Sequence, residues 1–152
     1  MVEVFGNLWT YPAGIKIITT NGSIKTNGHV VMGRGCAYEA TKLHRGVPAL
    51  LGRLIQAHGN HVHIIFRNVP YVLVSFPVKH VWHERADVEL IKRSAEELVT
   101  LANDQQGIDD YSKVVLPRPG CGNGGLRWED VKSVIAPILD DRFHVITFGG
   151  SK

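Results

Sequence analysis

The chain has 152 residues, of which 44% are hydrophobic and 20% are charged, which predicts a single globular domain over residues 1–152. No apolar run approaches the roughly 20 residues that a bilayer-spanning helix needs, and the first residues lack the regions of a signal peptide, so we expect a cytoplasmic protein. The net charge of +3 is compatible with an anionic ligand but is too small to indicate nucleic-acid binding by itself.

Short strands rich in Val, Ile and Phe alternate with helical segments. In chain order we predict strands at 2–5 and 15–19, helices at 38–44 and 48–58, strands at 61–66 and 71–76, a helix at 87–102, a strand at 113–116, a helix at 128–135 and a strand at 143–148. The short connection at 67–70 predicts an antiparallel hairpin. The fold class is therefore α/β, with a mixed six-stranded sheet covered on both faces.

The helix at 87–102 has the clearest amphipathic pattern. Asp87 is the candidate N-cap, and the apolar positions recur at helical spacing on one face, at Ile91, Ala95, Leu98 and Ala102. We expect that face to lie on the sheet.

A glycine-rich loop follows the strand at 113–116. It contains Gly120, Gly122, Gly124 and Gly125 and precedes a helix start at Trp128. A backbone without side chains exposes its N–H groups, and at a helix start those groups favour an anion such as a phosphate or pyrophosphate. The alternative is a strand-to-helix connection that binds nothing.

A second glycine loop lies upstream, at Met32-Gly33-Arg34-Gly35-Cys36-Ala37, again before a predicted helix. Either loop alone is weak support, but the pair predicts a site that holds both ends of a pyrophosphate. The long polar segment at 20–31 leads into this loop, and long loops at such positions usually carry function.

Several other sites are excluded or disfavoured. Gly120-x-Gly122-x-x-Gly125 has the spacing of a dinucleotide fingerprint, but it lies at the end of the chain instead of in a first βαβ unit. A P-loop and a Gly-x-Ser-x-Gly nucleophile elbow are absent. His61-x-His63 lacks a further metal ligand at suitable spacing, so we expect no metal.

One lysine and two cysteines lie near these loops. Lys79 follows the strand at 71–76 and is expected either to face the same crevice as the glycine loops or to be an exposed surface lysine. Cys36 and Cys121 lie one in each glycine loop, and we interpret them as small half-buried thiols instead of a disulfide or a metal pair. The basic clusters at 42–45 and 79–85 either flank a phosphate path or belong to a solvated surface.

Together these residues resemble the macrodomain family of ADP-ribose-binding modules over nearly the whole chain. The resemblance implies a three-layer α/β/α fold around a six-stranded mixed sheet. It also implies ligand-binding positions near the adenine, at the distal ribose and in two diphosphate loops. These are Gly6, Asn7 and Leu8; Asn21; Gly33, Arg34, Gly35, Cys36 and Ala37; and Pro119, Gly120, Cys121, Gly122, Asn123, Gly124, Gly125 and Leu126.

The segment Phe76-Pro77-Val78-Lys79-x-x-Trp82 resembles a branch of the family that removes ADP-ribose from DNA or glutamate. In that branch a lysine acts at the anomeric carbon of the distal ribose, which implies a catalytic role for Lys79. The chain departs from the pattern at Asn7, where an aspartate is usual, and at Gly124, where glutamate-specific enzymes carry an aspartate. The loop at 22–31 is also longer than usual.

The function implied by the resemblance is hydrolysis of the ADP-ribosyl linkage on a nucleobase or an acidic side chain. The expected partners are ADP-ribose or an ADP-ribosylated nucleic acid or protein, with no membrane and no cofactor. Two alternatives remain open: a non-catalytic reader of ADP-ribose and a phosphatase acting on ADP-ribose 1″-phosphate.

Overall fold

The computed structural model describes residues 1–67, 70–104 and 113–148. All ten predicted elements are present in these ranges. The strands are β1 (Val2–Gly6), β2 (Ile15–Asn21), β3 (His63–Phe66), β4 (Val72–Lys79), β5 (Val114–Pro117) and β6 (Phe143–Phe148), and the helices are α1 (Gly35–Leu43), α2 (Val47–His58), α3 (Val88–Asp104) and α4 (Trp128–Ile135).

The strands form one mixed sheet in the order β1-β6-β5-β2-β4-β3. Only the β3–β4 pair is antiparallel among these neighbours, which confirms the predicted hairpin. Apolar side chains of α1 and α2 pack into one core and those of α3 and α4 into another, on opposite faces of the sheet. This arrangement confirms the three-layer α/β/α fold.

Helix α3 confirms the sequence pattern in detail. The four predicted apolar positions are buried, with exposed fractions of 3% or less. At its start the Asp87 carboxylate accepts a hydrogen bond from the Glu89 N–H at 2.9 Å, as an N-cap should. The other carboxylate oxygen of Asp87 lies 2.8 Å from His80 Nε2, and this contact is the main reason that the pKa of Asp87 is lowered.

The predicted end of β4 at Phe76 was wrong, because the strand continues through Pro77 to Lys79. Proline lacks the N–H that a central strand donates, so its presence favoured a boundary. In the structure the pairing with β3 ends at Ser75, and beyond that point β4 pairs with β2 alone. Lys79 thereby becomes the last residue of a strand, in register with Asn21 of β2.

Helix α1 begins at Gly35, three residues before the predicted start. Its N-cap residue, Arg34, makes no side-chain capping hydrogen bond. The first N–H groups of a helix have no partner within the helix, so those of the glycine loop stay available to a ligand.

The long loop between β2 and α1 folds back on itself and packs on α2. Ile24 and Val30 form an antiparallel bridge, and Val30 is buried. The Gly28 carbonyl oxygen occupies the place of a side chain at Gly52, 1.9 Å from the position of its Cβ, which explains a glycine inside α2. None of the helices in the described ranges is long and apolar enough to cross a membrane.

Candidate ligand-binding site

A cavity of about 670 Å³ opens at the carboxyl ends of β2, β4 and β5. Both glycine loops line it, and so does Lys79. Of the predicted site residues, its wall contains Asn21, Gly33, Arg34, Gly35, Cys36, Ala37, Lys79, Gly120, Gly122, Asn123, Gly124 and Gly125.

The first glycine loop presents open backbone to the cavity. A Cβ atom added at Gly33 would meet no other atom within 4 Å, so the space over this residue is empty. Behind it, Cys36 Sγ accepts a hydrogen bond from the Thr19 N–H at 3.4 Å. Burial raises the pKa of the Cys36 thiol, which is therefore uncharged at neutral pH and is a poor nucleophile.

The second glycine loop is fixed by its own backbone. The Leu126 N–H donates to the Gly120 carbonyl at 2.9 Å, and the Gly124 carbonyl accepts from the Ala86 N–H at 2.9 Å. Gly120 and Gly125 have φ values of +75° and +78°, which glycine adopts without strain. At Gly122, by contrast, an added Cβ would meet nothing within 4 Å, so this position faces open space.

Position 124 has no room for a side chain. A Cβ atom there would lie 2.5 Å from the Gly120 carbonyl oxygen and 2.8 Å from the Ala86 Cβ. An aspartate at this position would require the loop to adopt another conformation. A mechanism that needs a carboxylate at position 124 is therefore incompatible with this loop.

A chain of hydrogen bonds joins two residues of the cavity wall, Asn21 and Lys79, through Ser23 and Trp82. The Asn21 Oδ1 accepts from the Ser23 N–H at 2.9 Å, and the Ser23 Oγ accepts from the Trp82 N–H at 2.9 Å. Lys79 Nζ completes the chain by donating to the Trp82 carbonyl at 3.1 Å. The backbone between Lys79 and Trp82 is thus held against the long loop.

Positive charge predominates in the wall of the cavity. The cationic residues are Arg34, Lys79, Arg85 and Arg118, and Glu84 is the single carboxylate among the described lining residues. The guanidinium carbon of Arg118 lies 4.9 Å from the centroid of the Trp128 ring, and the Arg118 Nη2 lies 3.6 Å from the Glu3 Oε1. Such a wall attracts an anion.

The chain is similar to one curated relative and to several solved structures. No family model matches the chain. A curated relative, the DNA ADP-ribosyl glycohydrolase of Thermus aquaticus, is 30% identical over 71 residues, a match that spans 47% of this chain and only 19% of the relative.

Three solved structures are similar over nearly the whole chain. The macrodomain of Mycobacterium tuberculosis DarG has a TM-score of 0.79 at 20% identity and covers 99% of both chains. The macrodomain of Thermus aquaticus DarG has a TM-score of 0.79 at 23% identity and covers 97% of both chains. The chain has the macrodomain fold. Thermosipho africanus DarTG in complex with ADP-ribose, with a TM-score of 0.76 at 17% identity, covers 97% of this chain and 41% of its own.

Six predicted site residues do not belong to the cavity wall: Gly6, Asn7, Leu8, Pro119, Cys121 and Leu126. Gly6 ends β1, and the Asn7 Oδ1 accepts from the Trp9 N–H at 2.8 Å. The Leu8 side chain is buried, and its carbonyl accepts from Lys16 Nζ at 2.7 Å. Their contacts with a ligand stay a prediction.

The neighbours of Leu8 include an unusual buried lysine. Lys16 is only 3% exposed, and its Nζ donates to the carbonyls of Leu8 and Tyr11 at 2.7 and 2.6 Å. Burial lowers the pKa of this ammonium group to about 8. Lys16 therefore fastens the segment that follows β1 to the centre of the sheet.

Sequence reasoning missed several residues of the cavity wall, among them Thr20, Arg85 and Arg118. Thr20 and Arg118 each precede a predicted site residue, Asn21 and Pro119. Extending the predicted site by one residue at these two places would have included them. Arg85 was visible only as part of a basic cluster. Its hydrogen bond to the Gly125 carbonyl, at 3.0 Å, joins residues far apart in the chain.

Proposed function

We propose that the cavity binds ADP-ribose and that the protein hydrolyses the bond between ADP-ribose and a nucleobase or an acidic side chain, with Lys79 acting at the distal ribose. The observation that carries the proposal is the meeting of both glycine loops and Lys79 in one cavity. These elements lie far apart in the sequence, and a single extended ligand with a diphosphate at its centre would contact all of them.

The binding step is supported by the size and chemistry of the cavity. A volume of about 670 Å³ lies within the range of roughly 300–1,000 Å³ that small-molecule sites occupy. The unpaired N–H groups at the start of α1 and the open backbone at Gly122 suit two successive phosphates. The basic wall adds attraction for their charge.

The nature of the linkage is supported by the relatives and by Gly124. The Thermus aquaticus relative is a DNA ADP-ribosyl glycohydrolase, and the Thermosipho africanus DarTG structure contains ADP-ribose. The loop has no space for an aspartate at position 124. Of the two linkages, we therefore favour ADP-ribose attached to a nucleobase of DNA.

Lys79 is the group we assign to the chemistry. Its Nζ is held by the Trp82 carbonyl at the cavity wall, and the Cys36 thiol beside the first loop is uncharged. In the hydrolysis, the bond from the anomeric carbon to the leaving group breaks, water supplies the new C–O bond, and the proton of that water goes to the leaving group. A lysine there can stabilise the departing charge as an ammonium. Alternatively, as a neutral amine it attacks the anomeric carbon while the leaving group departs, and water then breaks the new C–N bond and frees the lysine.

The test combines two substitutions of one residue. Lys79→Ala is expected to abolish release of ADP-ribose from an ADP-ribosylated oligonucleotide, followed by mass spectrometry, while the Kd of ADP-ribose from titration calorimetry changes by less than about tenfold, or about 1.4 kcal/mol. Lys79→Arg keeps the charge and lacks an amine nucleophile. Turnover by Lys79→Arg at the wild-type rate would exclude covalent catalysis, and turnover by Lys79→Ala would remove Lys79 from the mechanism.

The same assays separate the alternatives. Binding of ADP-ribose without release from any modified DNA, RNA or protein would identify a reader. Release of inorganic phosphate from ADP-ribose 1″-phosphate would identify a phosphatase. We further propose that residues 1–152 form one cytoplasmic domain, and the two free cysteines support a reducing compartment.

A further inference from the structure

The last residues of β4 extend beyond its pairing with β3. That pairing ends at Ser75, whereas β4 continues to Lys79 with β2 as its neighbour. A backbone carbonyl that loses a strand partner needs another donor when it is withdrawn from water. The Ser94 Oγ donates to the Pro77 carbonyl at 2.7 Å. The Asn60 Nδ2 donates to the Lys79 carbonyl at 3.0 Å, so side chains replace the missing strand.

Asn60 lies in the connection between α2 and β3, and helix α3 holds this connection in place. The Arg93 Nη2 donates to the Asn60 carbonyl. One turn further along α3, the Glu97 Oε2 lies 3.5 Å from the Arg93 Nε, and the Glu97 Oε1 accepts from the Val62 N–H at 2.9 Å. The Asn60 side chain therefore approaches Lys79 from a backbone that is itself fixed.

The orientation of the Asn60 amide follows from its contact with Lys79. The amide nitrogen lies against the Lys79 carbonyl, whereas Oδ1 is buried and has no hydrogen-bond partner among the described residues. Turning the amide over would place two oxygens against each other. A buried oxygen without a partner costs free energy that an apolar side chain of similar size would avoid. The hydrogen bond to Lys79 therefore explains a polar side chain at this position.

Lys79 is thus held at both of its ends. Its carbonyl accepts from Asn60, and its Nζ donates to the Trp82 carbonyl at 3.1 Å. Lysine has a flexible four-carbon side chain, so its Nζ has a defined place only when the backbone from which it starts is fixed. Lys79 and Trp82 line the cavity, whereas Asn60 is not among the described residues of its wall.

We propose that Asn60 is a positioning residue for Lys79. By holding the carbonyl at the end of β4, its amide fixes the direction in which the lysine side chain enters the cavity. This inference rests on the proposed function and deepens it, because it adds a group that acts through Lys79 and not on the ligand. A displacement of about 1 Å at a reacting group can lower the rate roughly 100-fold. Loss of this hydrogen bond should therefore affect kcat far more than affinity.

The experiment removes the donor in two ways and compares both with a matched control. Asn60→Asp keeps the volume but places an acceptor against the Lys79 carbonyl, and Asn60→Ala removes the group without adding a charge. In each, kcat for release of ADP-ribose from an ADP-ribosylated oligonucleotide should fall roughly 10- to 100-fold, while the Kd of ADP-ribose stays within about threefold of wild type. The control, Ser94→Ala, removes the donor to Pro77 instead. It should lower the melting temperature but keep kcat within about threefold.

A second measurement follows the lysine without turnover. In protein isotope-labelled at the lysine Cε atoms, the Lys79 resonance in the NMR spectrum should shift in both Asn60 variants and keep its place in Ser94→Ala. The same spectra show whether each variant is folded.

Wild-type kcat in a folded Asn60 variant would overturn the inference, and so would an equal loss of kcat in Ser94→Ala. A loss of ADP-ribose affinity as large as the loss of kcat would also overturn it, because Asn60 would then shape the cavity instead of positioning the lysine. These three outcomes leave the proposed function standing. A wild-type protein that releases no ADP-ribose would instead refute the proposed function, and the Lys79 resonance would still test the contact with Asn60.

Discussion

A glutamate at position 122 should abolish ADP-ribose binding without unfolding the protein. Gly122 lies in the cavity wall, its φ is not positive, and an added Cβ would meet no atom within 4 Å. The ligand-free fold therefore accepts a side chain there. In Gly122→Glu, the new carboxylate occupies the space that we assign to the diphosphate.

The size of the effect follows from Coulomb's law. Two like charges about 4 Å apart repel by about 4 kcal/mol at the effective dielectric constant of a partly buried site. This corresponds to a Kd increase on the order of a thousandfold, before any steric exclusion is added. Gly122→Gln has nearly the same volume without the charge, so the difference between the two variants isolates the electrostatic part.

Titration calorimetry with ADP-ribose and with AMP would measure this effect, and circular dichroism and thermal unfolding would establish that each variant is folded. Gly33→Glu repeats the test at the first loop, where the space is equally open. A folded Gly122→Glu protein that binds ADP-ribose within threefold of wild type would show that the second loop is only a connection. Equal wild-type affinities for AMP and ADP-ribose would refute the two-loop interpretation.

Three further predictions concern the packing that supports the site. Gly124→Asp should lose ADP-ribose binding and gain no activity on glutamate-linked ADP-ribose, because loop backbone fills the place of its side chain; release from the modified peptide would contradict this. The pKa of Lys16, about 8, lies below the ordinary value of 10.5. Between these two pH values the unfolded chain binds more protons than the folded protein, so the free energy of unfolding should rise with pH by up to about 1.4 kcal/mol per pH unit. Urea unfolding at pH 8 and pH 10 measures this rise, which should be absent from Lys16→Met. If the free energy of unfolding depends on pH identically in Lys16→Met and in wild type, Lys16 is not the source of the rise. Gly52→Ala should destabilise the protein by more than about 2 kcal/mol in thermal unfolding, because the new Cβ would overlap the Gly28 carbonyl. This loss exceeds the gain of about 1 kcal/mol that alanine brings in helix propensity. The control, Gln56→Ala on an exposed face of the same helix, should be nearly neutral.

The sequence was sufficient to predict the layers of the fold. Apolar spacing marked the buried face of α3, and the short 67–70 connection marked the hairpin, because both are local properties of the chain. The end of β4 was missed because the effect of Pro77 depends on where the neighbouring strand β3 stops. The point at which β3 stops depends on how the two strands pair in the folded protein, and no local sequence pattern predicts it.

In the candidate site, too, local sequence patterns predicted some features, whereas features that depend on tertiary packing were missed. Glycine spacing located both loops, but it did not show which glycines face open space. Gly122 and Gly124 look equivalent in the sequence, whereas the first faces an empty cavity and the second is packed against Gly120. The role of Ser23 as a support for Trp82 depends on a contact across 59 positions of the chain, for which the sequence contains no signal.

The central order β5-β2-β4 has a consequence for how a ligand would be detected. These strands are neighbours in the sheet but distant in the chain, and the cavity lies at their shared end. A chain in which they have not paired has no cavity, so a ligand binds the native state alone. At a concentration 100 times its Kd, such a ligand stabilises the protein by about 2.7 kcal/mol. The melting temperature is therefore a direct readout of occupancy, and a library of nucleotides could be screened by heating the unlabelled protein.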